Sequence, residues 1–238
     1  YGLLGRYYFL NNANIWLWGL YGNDEIRGWE AIPTDKQTLE FGGRVQYPVG
    51  SGEIALTYHR RKADLGNSSI SSVVIGNNTV PENRFAVDGK WDLEIGLWFE
   101  GVVVQQDADI LPFTYRNFIT LGADYTLPVG TGLHLLAEHL RFALANEPFA
   151  AEESFDFSAL LIDYNLGLLD RLMTIVYYDW ENERFSRYAS WGRIYDNWSF
   201  YLNVFWNPET TGTIGFQRET ESSIGAGKGV QLMAVFNH

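Results

Sequence analysis

The side chains able to do chemistry are spread along the chain rather than gathered in a signature. His134 and Glu138 stand four residues apart. On a helix that spacing joins two metal ligands, but on a strand it separates them by roughly 13 Å. One ion cannot bridge that gap, so neither a metal site nor a cofactor is read here. The chain has no cysteine, which excludes a thiolate zinc site, a disulfide scaffold and a cysteine nucleophile. Gly50, Gly52, Gly130 and Gly132 lie between strand-like segments with no helix following, so they do not form a phosphate loop. A hydrolase on the rim of a barrel would need Ser and His on neighbouring strands with an orienting polar group. Ser154 and Ser158 lie in a different region from His59, and no recognisable signature surrounds either. His139 reads as a bulge residue at a change of phase. No catalytic residue is assigned, and the chain reads as a non-enzyme.

What remains is a set of charges of mixed sign, placed opposite apolar residues: Glu40, Arg44, Glu53, His59, Arg61, Arg84, Asp88, Lys90, Glu94, Glu100, Asp124, Glu138 and Asp156. Rings of such side chains bias the passage of ions. Glu40, Arg44, Asp88, Lys90, Glu94, Glu100, Asp124 and Glu138 are the candidate selectivity residues, with Glu94, Glu100 and Asp124 forming a locally acidic wall. The rival reading is a packed interior in which pairs such as Glu40 and Arg44 satisfy one another.

The elements that carry these residues have a period of two. Leu39, Phe41, Gly43, Val45 and Tyr47 oppose Thr38, Glu40, Gly42, Arg44 and Gln46. The same alternation runs through Arg84–Trp91, Leu93–Val103, Phe118–Leu127 and Trp198–Asn207. Arg184–Tyr195 is polar on both faces, and Leu133–Leu144 changes phase midway. Short links alternate with long ones. Asn11–Ala13, Pro48–Gly52, Trp91–Leu93, Pro128–Gly132, Asn165–Leu169 and Tyr195–Asn197 are short; Asn23–Lys36, Ala63–Asn83, Asp107–Tyr115, Ala145–Glu153 and Pro208–Ala226 are long. The link at Glu181–Glu183 is the exception. Two turns, Pro48-Val-Gly-Ser-Gly and Pro128-Val-Gly-Thr-Gly, are nearly the same, with Pro fixing φ and Gly supplying positive φ.

The pattern gives about 13 strands, in a range of about 12–14, and the commonest span matches the ~9–11 residues that a tilted strand needs to cross a bilayer. Alternating short and long links are a mark of outer-membrane barrels. Alternation alone does not say which face is lipid. The polar face mixes full charges with Gly, which suits a wet lumen. Tyr47, Trp91, Tyr125, Tyr164, Tyr195, Trp198 and Trp206 stand at strand ends, where interfacial aromatic girdles sit.

In this pattern the chain resembles bacterial outer-membrane β-barrel proteins of the porin and channel kind. The most local carrier is the last strand, Gly229–Phe236, which alternates and ends in an aromatic residue, although Asn237 and His238 follow it. The resemblance implies an antiparallel transmembrane β-barrel in the outer membrane of a Gram-negative bacterium. It implies lipid and lipopolysaccharide around the barrel, small polar solutes or ions inside it, and a homo-oligomer or larger outer-membrane complex as the setting. A closed structural or partner-binding barrel is the alternative, and a rim enzyme of the lipid-hydrolase kind the third reading.

Residues 1–238 read as a single barrel domain. Single-chain barrels of this kind have an even strand number, and counting back from the last strand leaves the first one, Leu4–Leu10, without its predecessor. The parity therefore predicts the C-terminal part of a larger barrel, unless Thr211–Arg218 adds a strand. Composition agrees with a folded chain: apolar residues make up 46% of the 238 and aromatics 16%, including 9 Trp and 14 Tyr, which excludes disorder. A net charge of −12 argues against a nucleic-acid partner, because phosphate binding needs clustered Lys and Arg.

Overall fold

The structure, a computed structural model, describes the chain except residues 29, 31, 68–78, 107–110, 209–226 and 237–238. Thirteen strands are present: β1 (Gly2–Tyr8), β2 (Asn14–Leu20), β3 (Glu40–Val49), β4 (Gly52–Asp64), β5 (Thr79–Asp92), β6 (Gly96–Gln106), β7 (Tyr115–Leu127), β8 (Leu133–Ala145), β9 (Glu153–Leu166), β10 (Asp170–Asp179), β11 (Arg184–Ile194), β12 (Trp198–Trp206) and β13 (Lys228–Phe236). They form one antiparallel sheet in sequence order. The only helical segment among the described residues is one 3-10 turn, Leu65–Asn67. The strand order has two ends, β1 and β13, so the described pairing is an open sheet. Thr211–Arg218, considered above as an extra strand, lies outside the described residues.

Several boundaries differ from expectation: the link expected at Ala63–Asn83 is shorter, because β4 runs to Asp64 and β5 starts at Thr79. Leu93 and Glu94 belong to the link before β6, which begins at Gly96, so Glu94 stands in a turn and not on a strand face. The two similar turns also close differently. In the first, β3 runs to Val49 and β4 starts at Gly52, with Gly50 at φ 62°. Gly52 is already paired there, and a Cβ on it would lie 2.1 Å from the Lys90 carbonyl oxygen. In the second, Gly130 and Gly132 take φ 60° and 101°, and β8 starts only at Leu133.

The chain divides into two compact units. The first comprises Tyr1–Leu93, Trp98–Thr120 and Arg141–Ser154; the second comprises Glu94–Leu97, Leu121–Leu140 and Phe155–His238. In the first unit the register places Arg61 opposite Glu82, two residues along from the Gly42–His59–Arg84 row, and Glu40 stands two residues before Gly42 on β3. Side chains in a strand alternate faces, so these rows share one side. Phe41, Val45, Tyr47, Leu56 and Phe85 share the other side and are exposed.

In the second unit β12 alternates in the same sense. Trp206 and Val204 are 55% and 43% exposed, whereas Ser199 and Asn203 are each 5% exposed. Asn203 donates to Gln231 Oε1 at 3.0 Å and accepts from Ser190 Oγ at 2.7 Å. The apolar face is thus open and the polar face shielded, the reverse of what water selects for in a half-buried sheet. β11 looked polar on both sides because two arginines sit on the apolar face near its margins. The Arg187 guanidinium lies 4.9 Å from the Phe185 ring centroid and 5.9 Å from that of Trp206, and Arg193 lies 5.4 Å from Tyr195. Long cationic side chains cover apolar surface in this way while keeping the charge at its edge.

Candidate functional site on the polar face

In the first unit the polar face carries a buried ionic network at the end where β3 starts and β4 finishes. Its centre is Arg61 and Glu82, both 0% exposed. Arg61 Nε donates to Glu82 Oε1 at 2.6 Å and Nη2 to Oε2 at 3.1 Å. Two further guanidinium hydrogens go to Thr34 Oγ1 at 2.8 Å and the Ile32 carbonyl at 2.9 Å, and Nη1 lies 3.2 Å from Glu30 Oε2. Four hydrogen bonds and two carboxylates thus surround the guanidinium, which is what a buried cation requires. Glu82 also accepts from Arg84 Nε at 2.6 Å, from Arg116 Nη2 at 3.1 Å and from the Gln106 amide. Arg84 reaches Glu30 Oε1 at 2.9 Å.

Glu40 stands at the flank of this centre. Its Oε2 accepts from Arg27 Nη2 at 2.5 Å and lies 3.2 Å from His59 Nε2. His59 Nδ1 in turn accepts from the Trp18 indole at 3.0 Å. The segment between β2 and β3 therefore folds onto the polar face, supplying Arg27, Glu30, Ile32 and Thr34. Burial opposes the charge on Arg27, but the carboxylates of Glu40 and Glu30 outweigh it and hold the guanidinium above its ordinary range. Four guanidinium groups (Arg27, Arg61, Arg84, Arg116) meet three carboxylates (Glu30, Glu40, Glu82). The cluster therefore carries one net positive charge before His59 is counted.

The expected site residues are placed as follows. Glu40 joins the network rather than Arg44. Arg44 instead makes a bidentate pair with Asp88, at 2.6 and 2.7 Å, and donates to Thr57 Oγ1 at 3.1 Å. Lys90 is exposed and lies 3.6 Å from Asp92. Glu100 is exposed on β6, and Asp124 and Glu138 are half-buried. A Cβ on Gly96 would meet Asp124 at 2.2 Å, so the glycine makes room for that carboxylate. Glu94 is off the strands, as above. Asp156, expected on the polar face, instead lies 3.3 Å from His139, on the side of β9 that carries Ser158 and Leu160. Of the aromatic set, Tyr47, Tyr125, Tyr195, Trp198 and Trp206 are exposed, while Trp91 and Tyr164 are half-buried. All but Trp206 lie beside short links.

Glu82, Arg27, Glu30, Thr34, Gln106, Arg116 and Trp18 are not among the expected site residues; Glu82 fell in the expected link Ala63–Asn83, whereas β5 starts at Thr79. Glu40, Gly42 and Arg44 suggested a wet surface, yet the space over Gly42 is taken by the Trp18 ring, 2.6 Å from where a Cβ would be. A hollow of about 960 Å³ in this unit opens on the apolar face beside Leu17, Phe41, Leu56, Phe85 and Phe99. The fold and site define an all-β protein with a buried ionic network on one face of its first unit and many large apolar side chains exposed on the other. No family model, no curated protein and no solved structure matches the chain.

Proposed function

We propose that this chain forms the wall of a bacterial outer-membrane β-barrel and that its polar face serves the passive passage of small polar solutes or ions. The observation that carries the reading is the inverted alternation of β12, with Trp206 and Val204 open and Ser199 and Asn203 buried. Lipid accepts an open apolar face that water penalises, and a patch of this kind on a water-soluble protein would drive association. Strands of 9 to 14 residues over β3–β13 are long enough to cross a bilayer when tilted.

Planar-bilayer conductance tests the passage. Stepwise ion-conducting insertions are expected, and Asp88→Asn should shift the reversal potential toward anions by removing a carboxylate from the polar wall. Vesicles that take up the protein without any conductance would overturn the passage. That outcome belongs to the second reading, a closed structural or partner-binding barrel, which the packing of Arg61, Glu82 and Glu40 against the 21–39 segment favours.

A further inference from the structure

Four side chains of the second unit meet on the apolar face, where strand pairing alone gives no reason for polar groups. His139 is on β8, Asp156 and Ser158 are on β9, and Trp180 follows the end of β10. His139 Nδ1 lies 3.0 Å from Ser158 Oγ, and His139 Nε2 lies 3.3 Å from Asp156 Oδ1. The Trp180 indole donates to Ser158 Oγ at 2.9 Å. In the neutral tautomer that puts the ring proton on Nε2, toward the Asp156 carboxylate, Nδ1 accepts from the Ser158 hydroxyl, whose oxygen also accepts from Trp180. A hydroxyl beside one imidazole nitrogen, with a carboxylate beside the other, is the nucleophile, base and orienting group of acyl transfer.

The surroundings indicate the substrate. The cluster borders a hollow of about 560 Å³ lined by Leu121, Ala137, Leu160, Val176, Tyr178 and Phe185. Those walls suit an acyl chain and offer little to a sugar or a peptide. Ser158 pairs across β9 and β10 with Tyr178, one residue before the end of β10. The hydroxyl therefore lies beside the end of β10, where the polar ester of a lipid would sit above a chain running along the apolar face.

We propose that Ser158, His139 and Asp156 form the site of a lipid-ester hydrolase, with Ser158 as nucleophile, His139 as general base and Asp156 as positioning residue. The proposal rests on the reading of the apolar face as lipid-facing. Ser158 Oγ bonds to the ester carbonyl carbon as its proton passes to His139 Nδ1. The bond from that carbon to the alcohol oxygen then breaks, and the alcohol leaves with the proton from His139. Water attacks the acyl-serine, giving one proton to His139. The carbon–Oγ bond breaks, the free acid departs, and His139 returns the proton to Ser158.

The test is covalent labelling of the full chain, folded in detergent micelles, with a fluorophosphonate probe, alongside fatty-acid release from phosphatidylcholine in mixed micelles. The label is expected on the peptide containing Ser158 and is expected to vanish in Ser158→Ala. His139→Gln should slow both labelling and release about 10²–10⁴-fold. Asp156→Asn should slow release, and Asp156→Glu should recover part of it, which a merely structural carboxylate would not do. Circular dichroism of each variant checks that the strands are intact, and flotation of the same protein with vesicles reads the lipid-facing surface separately. A protein that floats but is not labelled at Ser158, or is labelled equally well in His139→Gln, overturns the proposal and leaves the membrane reading standing. Labelling of a protein that does not float overturns the lipid substrate.

Discussion

Trp18 and His59 are joined by a 3.0 Å hydrogen bond from the indole Nε1 to the imidazole Nδ1, made over a position where β3 carries no side chain. That position is Gly42. A Cβ there would lie 2.5 Å from the Tyr58 carbonyl oxygen and 2.6 Å from the indole ring. Gly42→Ala is expected to cost about 1–3 kcal/mol through overpacking. Trp18→Phe, which keeps a ring but loses the donor, should cost about 1 kcal/mol. Urea unfolding of the reconstituted protein measures both, and an alanine variant as stable as the parent would disprove the crowding.

Removing one member of the Arg61–Glu82 pair leaves a buried charge without its main partner. Glu82→Gln and Arg61→Met are each expected to destabilise the protein by about 3–5 kcal/mol. The double variant Arg61→Met with Glu82→Met should lie nearer the parent than the sum of the two singles, since neither charge is then stranded. Additive costs in a double-mutant cycle would show that the two residues do not act as a pair.

Tryptophan fluorescence reads the two faces separately. In single-tryptophan variants reconstituted into vesicles with brominated acyl chains, Trp206 should be strongly quenched, because its ring is open on the apolar face. Trp18 should be spared, because it points to the polar side against His59. Quenching in the opposite order would remove the basis of the membrane reading.

The turn at Asp35 gives a pH dependence of definite sign. Its carboxylate accepts from Thr38 Oγ1 at 2.6 Å and from the Gln37 amide at 3.0 Å. These bonds hold the carboxyl below its ordinary range. A carboxyl lowered in the folded state stabilises the turn fully above its unfolded pKa and loses that contribution as pH falls through the folded value. Exchange protection of the Gln37 amide should therefore weaken on acidification, and Asp35→Asn should remove most of that pH dependence.

The sheet was legible in the sequence because alternation and turn chemistry are local. The Pro-Val-Gly turns, the links and most strands needed no tertiary knowledge. The ionic network was only half legible. His59, Arg61 and Arg84 stood out as charges on the polar face, but Glu30, Thr34, Gln106 and Arg116 reach it from separate links and strands, and only the strand register brings them together. Asp156 lies on the other side than expected: Ser158 and Leu160 follow it at even spacing on β9, and Leu160 pairs with Val176 on the apolar face. The phase change in β8 has the same origin: His139 occupies an apolar-face position because Ser158 and Asp156 face it from β9.

The carboxylate of Glu82 also bears on the order of folding. Its partners come from β4, β5, β6 and β7, and Arg61 depends further on Glu30, Ile32 and Thr34 before β3. A chain that has paired only through β5 holds this charge without Gln106 and Arg116, and those two contacts span 24 and 34 residues whose loop-closure entropy must be met first. Hairpins added one at a time would therefore give no stable product in the first unit. Its strands should lock together late and in one concerted step, and partly assembled forms should be short-lived and open to proteolysis.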